Sequence, residues 1–147
     1  MPQNNLFSLT FPEGWKETSV YSFEGPEENG LKHNIVACVV PDIDKKEDVA
    51  RYAKDLLQES TSELPNFEMI NEDQIATADG LPVYRAVYKY SPVENVVLYQ
   101  KQYYLIKDRK CYIFTGTFTR KTMRTIGRSF DTVVDSLVTY NDKNIPQ

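Results

Sequence analysis

The sequence predicts an α+β domain in which a large, mostly antiparallel β-sheet carries two α-helices, in the order β-β-β-α-β-β-β-β-α. Three observations predict it. Four strand-like stretches follow one another, Glu68 to Ala78, Leu81 to Ser91, Val96 to Lys107 and Cys111 to Thr119, joined by links of only a few residues. Links that short make antiparallel neighbours, because a parallel pair needs a long crossover. Two segments carry apolar residues at helical spacing, one before this run and one after it. No repeat, low-complexity tract or Pro/Gly-rich linker divides residues 1–147, so one domain is expected.

Taken in order, Leu6 to Phe11 alternates as a short strand and ends in the turn chemistry of Pro12-Glu13-Gly14-Trp15. Val20 to Phe23 reads as a second strand. Gly25, Pro26 and Gly30 punctuate the acidic stretch from Glu24 to Gly30 as a loop. His33 to Val40 is nearly continuous in apolar character, which suits a strand covered on both faces. A helix follows, with Asp44 as N-cap and Glu47 in capping-box position, presenting Val49, Ala53, Leu56 and Ser60 on one face, flanked by Tyr52 and Leu57. After the four strands, a helix from about Lys121 to Leu137 carries a stripe of Met123, Ile126, Phe130, Val133, Val134 and Leu137.

Bulk properties narrow the function. The 147 residues are 41% hydrophobic and 26% charged, an ordinary globular balance long enough for a substantial core. A net charge of −4 argues against nucleic-acid binding, which needs a positive field to displace counterions. The amino terminus, Met1-Pro2-Gln3-Asn4-Asn5, has neither the basic nor the apolar region of a secretory leader, and no apolar run reaches the ~20 residues of a membrane span. The expected compartment is the cytoplasm. Cys38 and Cys111 sit in apolar strand segments and are expected to be buried, reduced and structural.

Catalytic signatures are missing, and no cofactor or metal is expected. The one histidine, His33, cannot build a His-rich metal site, and neither cysteine has another near it in sequence. Cys38 lies five positions from His33 on one strand, so the two point to opposite faces. No Gly-rich phosphate loop is present, and the Gly25–Gly30 segment is acidic. The chain reads as a non-enzymatic, protein-binding domain.

Three features bear on what it binds. Arg120, Lys121, Arg124 and Arg128 crowd the start of the last helix, where positive charge opposes the macrodipole. They read either as a solvated helix face or as a contact for an acidic partner or the acidic loop of a second subunit. Ten tyrosines, with Tyr84, Tyr88 and Tyr90 on one strand face and Tyr99 and Tyr103 on the next, read either as amphipathic contact area or as ordinary sheet residues favoured by β propensity. Gln100 and Gln102 share a face with Leu98, Tyr104 and Ile106, where buried amides need partners. Either that face meets water or the amides bond to something docked there.

The opening Leu9-Thr10-Phe11-Pro12-Glu13-Gly14-Trp15 resembles the F-P-x-G-W start of the DcrB-like, PsbP/Mog-type domains. The run Phe130-Asp131-Thr132-Val133-Val134-Asp135-Ser136-Leu137 is similar to the F-x-x-I-x-x-S-L helix that closes them. Leaderless, and of this length, the chain looks most like the Eag chaperones of type VI secretion. That resemblance implies a homodimer that shields the N-terminal transmembrane helices of a PAAR-type effector, binding near its pre-PAAR segment and delivering it to the secretion spike. It also implies a groove lined by apolar side chains of the early strands and polar ones of the first helix and a late strand. The matching positions are Tyr21, Phe23, Ile35, Ala37 and Val39, with Gln58, Gln100 and Gln102. By helical phase Gln58 points away from the Val49–Ala53–Leu56 stripe. The opposite strand faces, Val20 and Ser22 with Val36, Cys38 and Val40, are the rival lining, since a one-residue shift in register swaps faces. Two alternatives remain open: a Mog-like regulator binding a small GTPase, and a small-molecule-binding domain.

Overall fold

The computed structural model describes residues 8–15, 19–77 and 80–135. Its strands are β1 (Ser19–Glu28), β2 (Leu31–Val40), β3 (Glu68–Ala76), β4 (Pro82–Tyr90), β5 (Leu98–Lys107) and β6 (Lys110–Phe118). Helix α1 (Val49–Thr61) joins β2 to β3. A 3₁₀ turn (Thr122–Arg124) and helix α2 (Ile126–Asp135) follow β6. The six strands form one sheet in the order β1-β2-β6-β5-β4-β3, and every neighbouring pair is antiparallel. After β2 the chain crosses to the far edge through α1, then returns strand by strand until β6 lies against β2. The predicted α+β class, with one antiparallel sheet and two helices, is what the structure has.

Strand alternation divides the apolar residues between two faces, and each face receives one helix. Tyr84, Ala86, Tyr88, Tyr104 and Cys111 pack under Val49, Ala53 and Leu57 of α1. Val83, Tyr103, Leu105 and Phe118 pack under Phe130 and Val134 of α2. Each large side chain so buried stabilises the fold by roughly 1.5–3 kcal/mol. Helix α2 is further held by Lys101, whose Nζ lies 2.9 and 3.0 Å from the two carboxylate oxygens of Asp131, while the Tyr103 hydroxyl donates to the same carboxylate.

Several elements differ from the sequence reading. Ser8 to Phe11 are not in a strand, and Leu6 and Phe7 lie outside the described residues. Instead Phe11 stacks on Trp15 with ring centroids 5.1 Å apart across the turn at Gly14. The segment read as a loop, Glu24 to Gly30, is mostly strand: β1 runs on to Glu28 through a bulge between Glu24 and Glu27. Pro26 is tolerated there because β1 is an edge strand. The turn itself is Asn29-Gly30, both at positive φ, as a two-residue hairpin connection demands.

The N-cap of α1 is Asp48, not Asp44; its carboxylate accepts from the backbone N–H of Arg51 at 3.1 Å. Asp44 serves a separate turn, accepting from the Lys46 N–H. The segment before α1 is tied instead to the β5–β6 turn, where the Ile43 N–H donates to the Arg109 carbonyl and the Arg109 Nε–H donates to the Ile43 carbonyl. The buried face of α1 runs through Val49, Ala53, Leu57 and Thr61, while Leu56 is half-buried and Ser60 exposed. The last helix is interrupted. Thr119 and Thr122 exchange reciprocal bonds between hydroxyl and backbone N–H (2.9 and 3.1 Å), which ties its first turn to the end of β6. The regular helix begins only at Ile126. Leu137 lies outside the described residues.

Gly116 is required by packing. A Cβ built there would come within 2.8 Å of Phe118 and 3.1 Å of Phe130. Gly116→Ala is therefore expected to lower stability by about 1–3 kcal/mol through overpacking, read from the midpoint of a urea unfolding curve. An unchanged midpoint would mean the two phenylalanines can move apart freely.

Candidate functional site

On the α2 face, β1 and β2 extend past the edge of the helix and leave a cavity of about 480 Å³. Ile35 from β2 and Phe114 and Phe118 from β6 form its floor. Phe130 and Val134 of α2 make one wall, and Phe23 and Pro26 of β1 the other. The surrounding surface is also apolar, since Tyr21 (55% exposed), Phe23 (57%) and Val133 (52%) face outward at the rim. These side chains leave apolar area in water, where contact with an apolar guest is favourable.

One end of the cavity is closed by His33, which is only 2% exposed. Its Nδ1–H donates to the Pro26 carbonyl at 3.0 Å. In the neutral ring Nε2 accepts from the Thr122 hydroxyl at 2.8 Å. Both nitrogens are thus occupied in pinning the β1 bulge and the 3₁₀ turn to β2. His33 shapes the cavity and presents no free nitrogen to it.

The sequence-predicted site residues fall in three places. Tyr21 pairs with Ala37 and Phe23 with Ile35, and Ile35, Ala37 and Val39 pair with Gly116, Phe114 and Tyr112. Directly paired residues share a face, so Tyr21, Phe23, Ile35, Ala37 and Val39 form one strip on the α2 side. Phe23 and Ile35 line the cavity, and Ala37 is buried.

Gln100 and Gln102 pair with Thr117 and Thr115, and Thr115 pairs with Val36. That places both glutamines on the α1 side, with the rival strip of Val20, Ser22, Val36, Cys38 and Val40. The expectation of one groove holding both sets is therefore corrected: the sheet itself lies between them. Gln58 is apart from both, exposed on α1 beside a shallow depression with Phe67, Met69 and Glu72.

The glutamines have partners within the fold. The Tyr88 hydroxyl donates to Gln100 Oε1, and Gln100 Nε2 donates to Thr117 at 3.0 Å. The Tyr104 hydroxyl donates to Gln102 Oε1 at 2.6 Å, and Gln102 Nε2 donates to Thr115 at 3.3 Å. The amides thus knit β4, β5 and β6 together on a half-buried, mixed surface beside α1.

Sequence reasoning missed the aromatic floor from β6 and the contribution of α2 to the site. The even-numbered apolar run Tyr112, Phe114, Phe118 was the available signal for the floor. Among the described residues no three metal-binding side chains cluster, and no helix is long and apolar enough to cross a membrane.

A single antiparallel sheet with a helix on each face and an apolar hollow beside one of them makes this an α+β protein. The DcrB family model matches residues 7–136, and the chain belongs to the DcrB family. No match was found among the curated proteins. Solved structures that share the fold include the following three. PA94 of Pseudomonas aeruginosa, a protein of unknown function, is 18% identical, with a TM-score of 0.72, over 89% of this chain and 90% of its own. The cyanobacterial PsbP (CyanoP) of Synechocystis sp. PCC 6803 is 16% identical, with a TM-score of 0.59, over 93% and 100%. LpqN of Mycobacterium tuberculosis, involved in cell envelope biogenesis, is 13% identical, with a TM-score of 0.53, over 85% of both chains.

The tyrosine–glutamine ladder sets an alkaline limit on stability. Burial, with Tyr90 nearby, pushes the Tyr88 phenol up to about 12, and burial pushes the Cys111 thiol up to about 12 from 9.0. Burial likewise raises Tyr104. Between the unfolded and folded values the unfolded chain holds fewer protons, so stability must fall with pH. Unfolding free energy from urea titrations is expected to decline between about pH 9 and 12. A flat profile across that window would mean these groups are solvated in the folded state.

Proposed function

We propose that this chain is a non-enzymatic cytoplasmic chaperone or adaptor. Its guests are the N-terminal transmembrane helices, the pre-PAAR region, of a type VI secretion effector, which it shields before delivery to the secretion spike. The observation that carries the reading is the exposed apolar surface of Tyr21, Phe23 and Val133 around a hollow floored by Ile35, Phe114 and Phe118. An apolar helix in water aggregates unless it is covered, and such a surface can take part of its side-chain face. The sequence motifs that resemble DcrB-like domains, and membership of the DcrB family, are compatible with the same reading. One hollow covers little of a helix some 30 Å long. A homodimer would enlarge the surface, and edge strand β1, exposed along nearly its whole length, is available for that pairing.

The test is co-expression with the N-terminal region of a PAAR effector, followed by affinity capture and sizing. A soluble complex containing two copies of this chain is expected. Phe23→Gln and Val39→Gln should reduce recovery of the effector fragment at least tenfold, whereas Gln102→Ala should leave it near the unaltered level. Loss with Gln102→Ala alone would put the guest on the α1 side of the sheet. An effector fragment that stays insoluble beside a monomeric chain would overturn the proposal.

A further inference from the structure

A second concavity, of about 580 Å³, lies at the end of the β1–β2 hairpin, away from the apolar hollow, and is lined by Asn29, Thr119, Arg120, Lys121 and Arg124. Its floor is built: Asn29 Nδ2 donates to the Thr119 hydroxyl at 3.2 Å, and the Thr119–Thr122 bonds and His33 brace that hydroxyl from behind. The three cations on its rim are exposed, as is Arg128 one helical turn further on. Among the described residues none of these four is ion-paired, whereas Lys32, Arg85, Lys89 and Lys101 each have a carboxylate partner.

This arrangement works against the fold. Four like charges stand within nine positions, at the amino end of α2, where the helix dipole is already positive. No carboxylate among the described residues is ion-paired with these cations, so their charge is open to one supplied by a partner. The rim suits carboxylates, since Arg120 and Arg124 can each take one in a two-pronged contact and Lys121 adds a compact charge. The chain as a whole carries −4, and Glu27 and Glu28 sit on the same hairpin as Asn29. A long polyanion would meet that opposing charge, while a short segment confined to the concavity would not.

We infer that this concavity is a docking site for a short acidic peptide segment of a partner protein, held by Arg120, Lys121 and Arg124. The site stands independently of the apolar face and of the guest proposed for it. Fluorescence anisotropy with a labelled glutamate-rich peptide, on the full chain at low ionic strength, tests it. Binding that weakens steeply with added salt is expected. Arg124→Glu and Arg120→Glu should each weaken it at least tenfold, and Lys46→Glu, an exposed cation on the far side of β2, should leave it unchanged. The thermal midpoint should not fall in the reversal variants, because a carboxylate near the amino end of α2 is favourable. No binding of the peptide, equal loss with Lys46→Glu, or tighter binding of a single-stranded oligonucleotide of the same charge would overturn the inference. So would a change in sedimentation of the peptide-free chain on charge reversal, since the basic rim would then be contacting a second copy.

Discussion

Strand β6 lies between β2 and β5, and its hydrogen-bond ladders to both hold the two parts of the chain in one sheet. Because side chains alternate along it, Cys111, Ile113, Thr115 and Thr117 face α1, while Tyr112, Phe114, Gly116 and Phe118 face α2. Antiparallel pairing carries that division across the sheet in both directions. The register of this one strand therefore decides which early-strand residues border the hollow and which glutamines share a face with Val36. A slip of one residue would exchange the two surfaces and leave the hollow floored with threonine.

The hollow also depends on where α2 sits. Phe130 packs against Phe118 and Tyr103, with ring centroids 5.8 and 5.4 Å apart, and the Lys101–Asp131 pair holds the helix over β5. That pair is partly shielded from water, and hydrogen bonds to charged groups contribute about 1.5–3 kcal/mol each where they are formed. With α2 anchored over β5 and β6, Tyr21 and Phe23 of β1 beyond it are left exposed among the described residues. The apolar surface is thus a consequence of one short helix on a six-stranded sheet: a helix is about 10 Å wide, and strands lie about 4.8 Å apart.

His33 links the two candidate surfaces. One ring nitrogen reaches the bulge beside Phe23, and the other reaches Thr122, which in turn braces Thr119 beneath the basic rim. The hairpin tip, the start of the 3₁₀ turn and the end of β6 are consequently tied together. An apolar site and a basic site on opposite sides of this clamp share their support while differing in the chemistry they offer.

Much of the fold was legible in the residues themselves. Short links between Glu68 and Thr119 required antiparallel neighbours, and the apolar spacing of Val49 to Leu57 and of Ile126 to Val134 marked both helices. The bulge in β1 was hidden, because Gly25-Pro26 has the local chemistry of a loop and only pairing with β2 keeps it in the sheet. Asp44 was the cap that local spacing offered, but the segment before α1 is held by the contact of Ile43 with Arg109, 66 residues away, and Asp48 caps the helix. The apolar members of the site could be read from strand alternation, but their separation from Gln100 and Gln102 could not. Sequence by itself determined the element types and the parity of side chains within each strand, since both are properties of local backbone geometry. Only the tertiary structure decided how those parities line up between strands and which face each helix covers. Those choices rest on non-local pairing, and alternation within one strand is indifferent to the register of its neighbours.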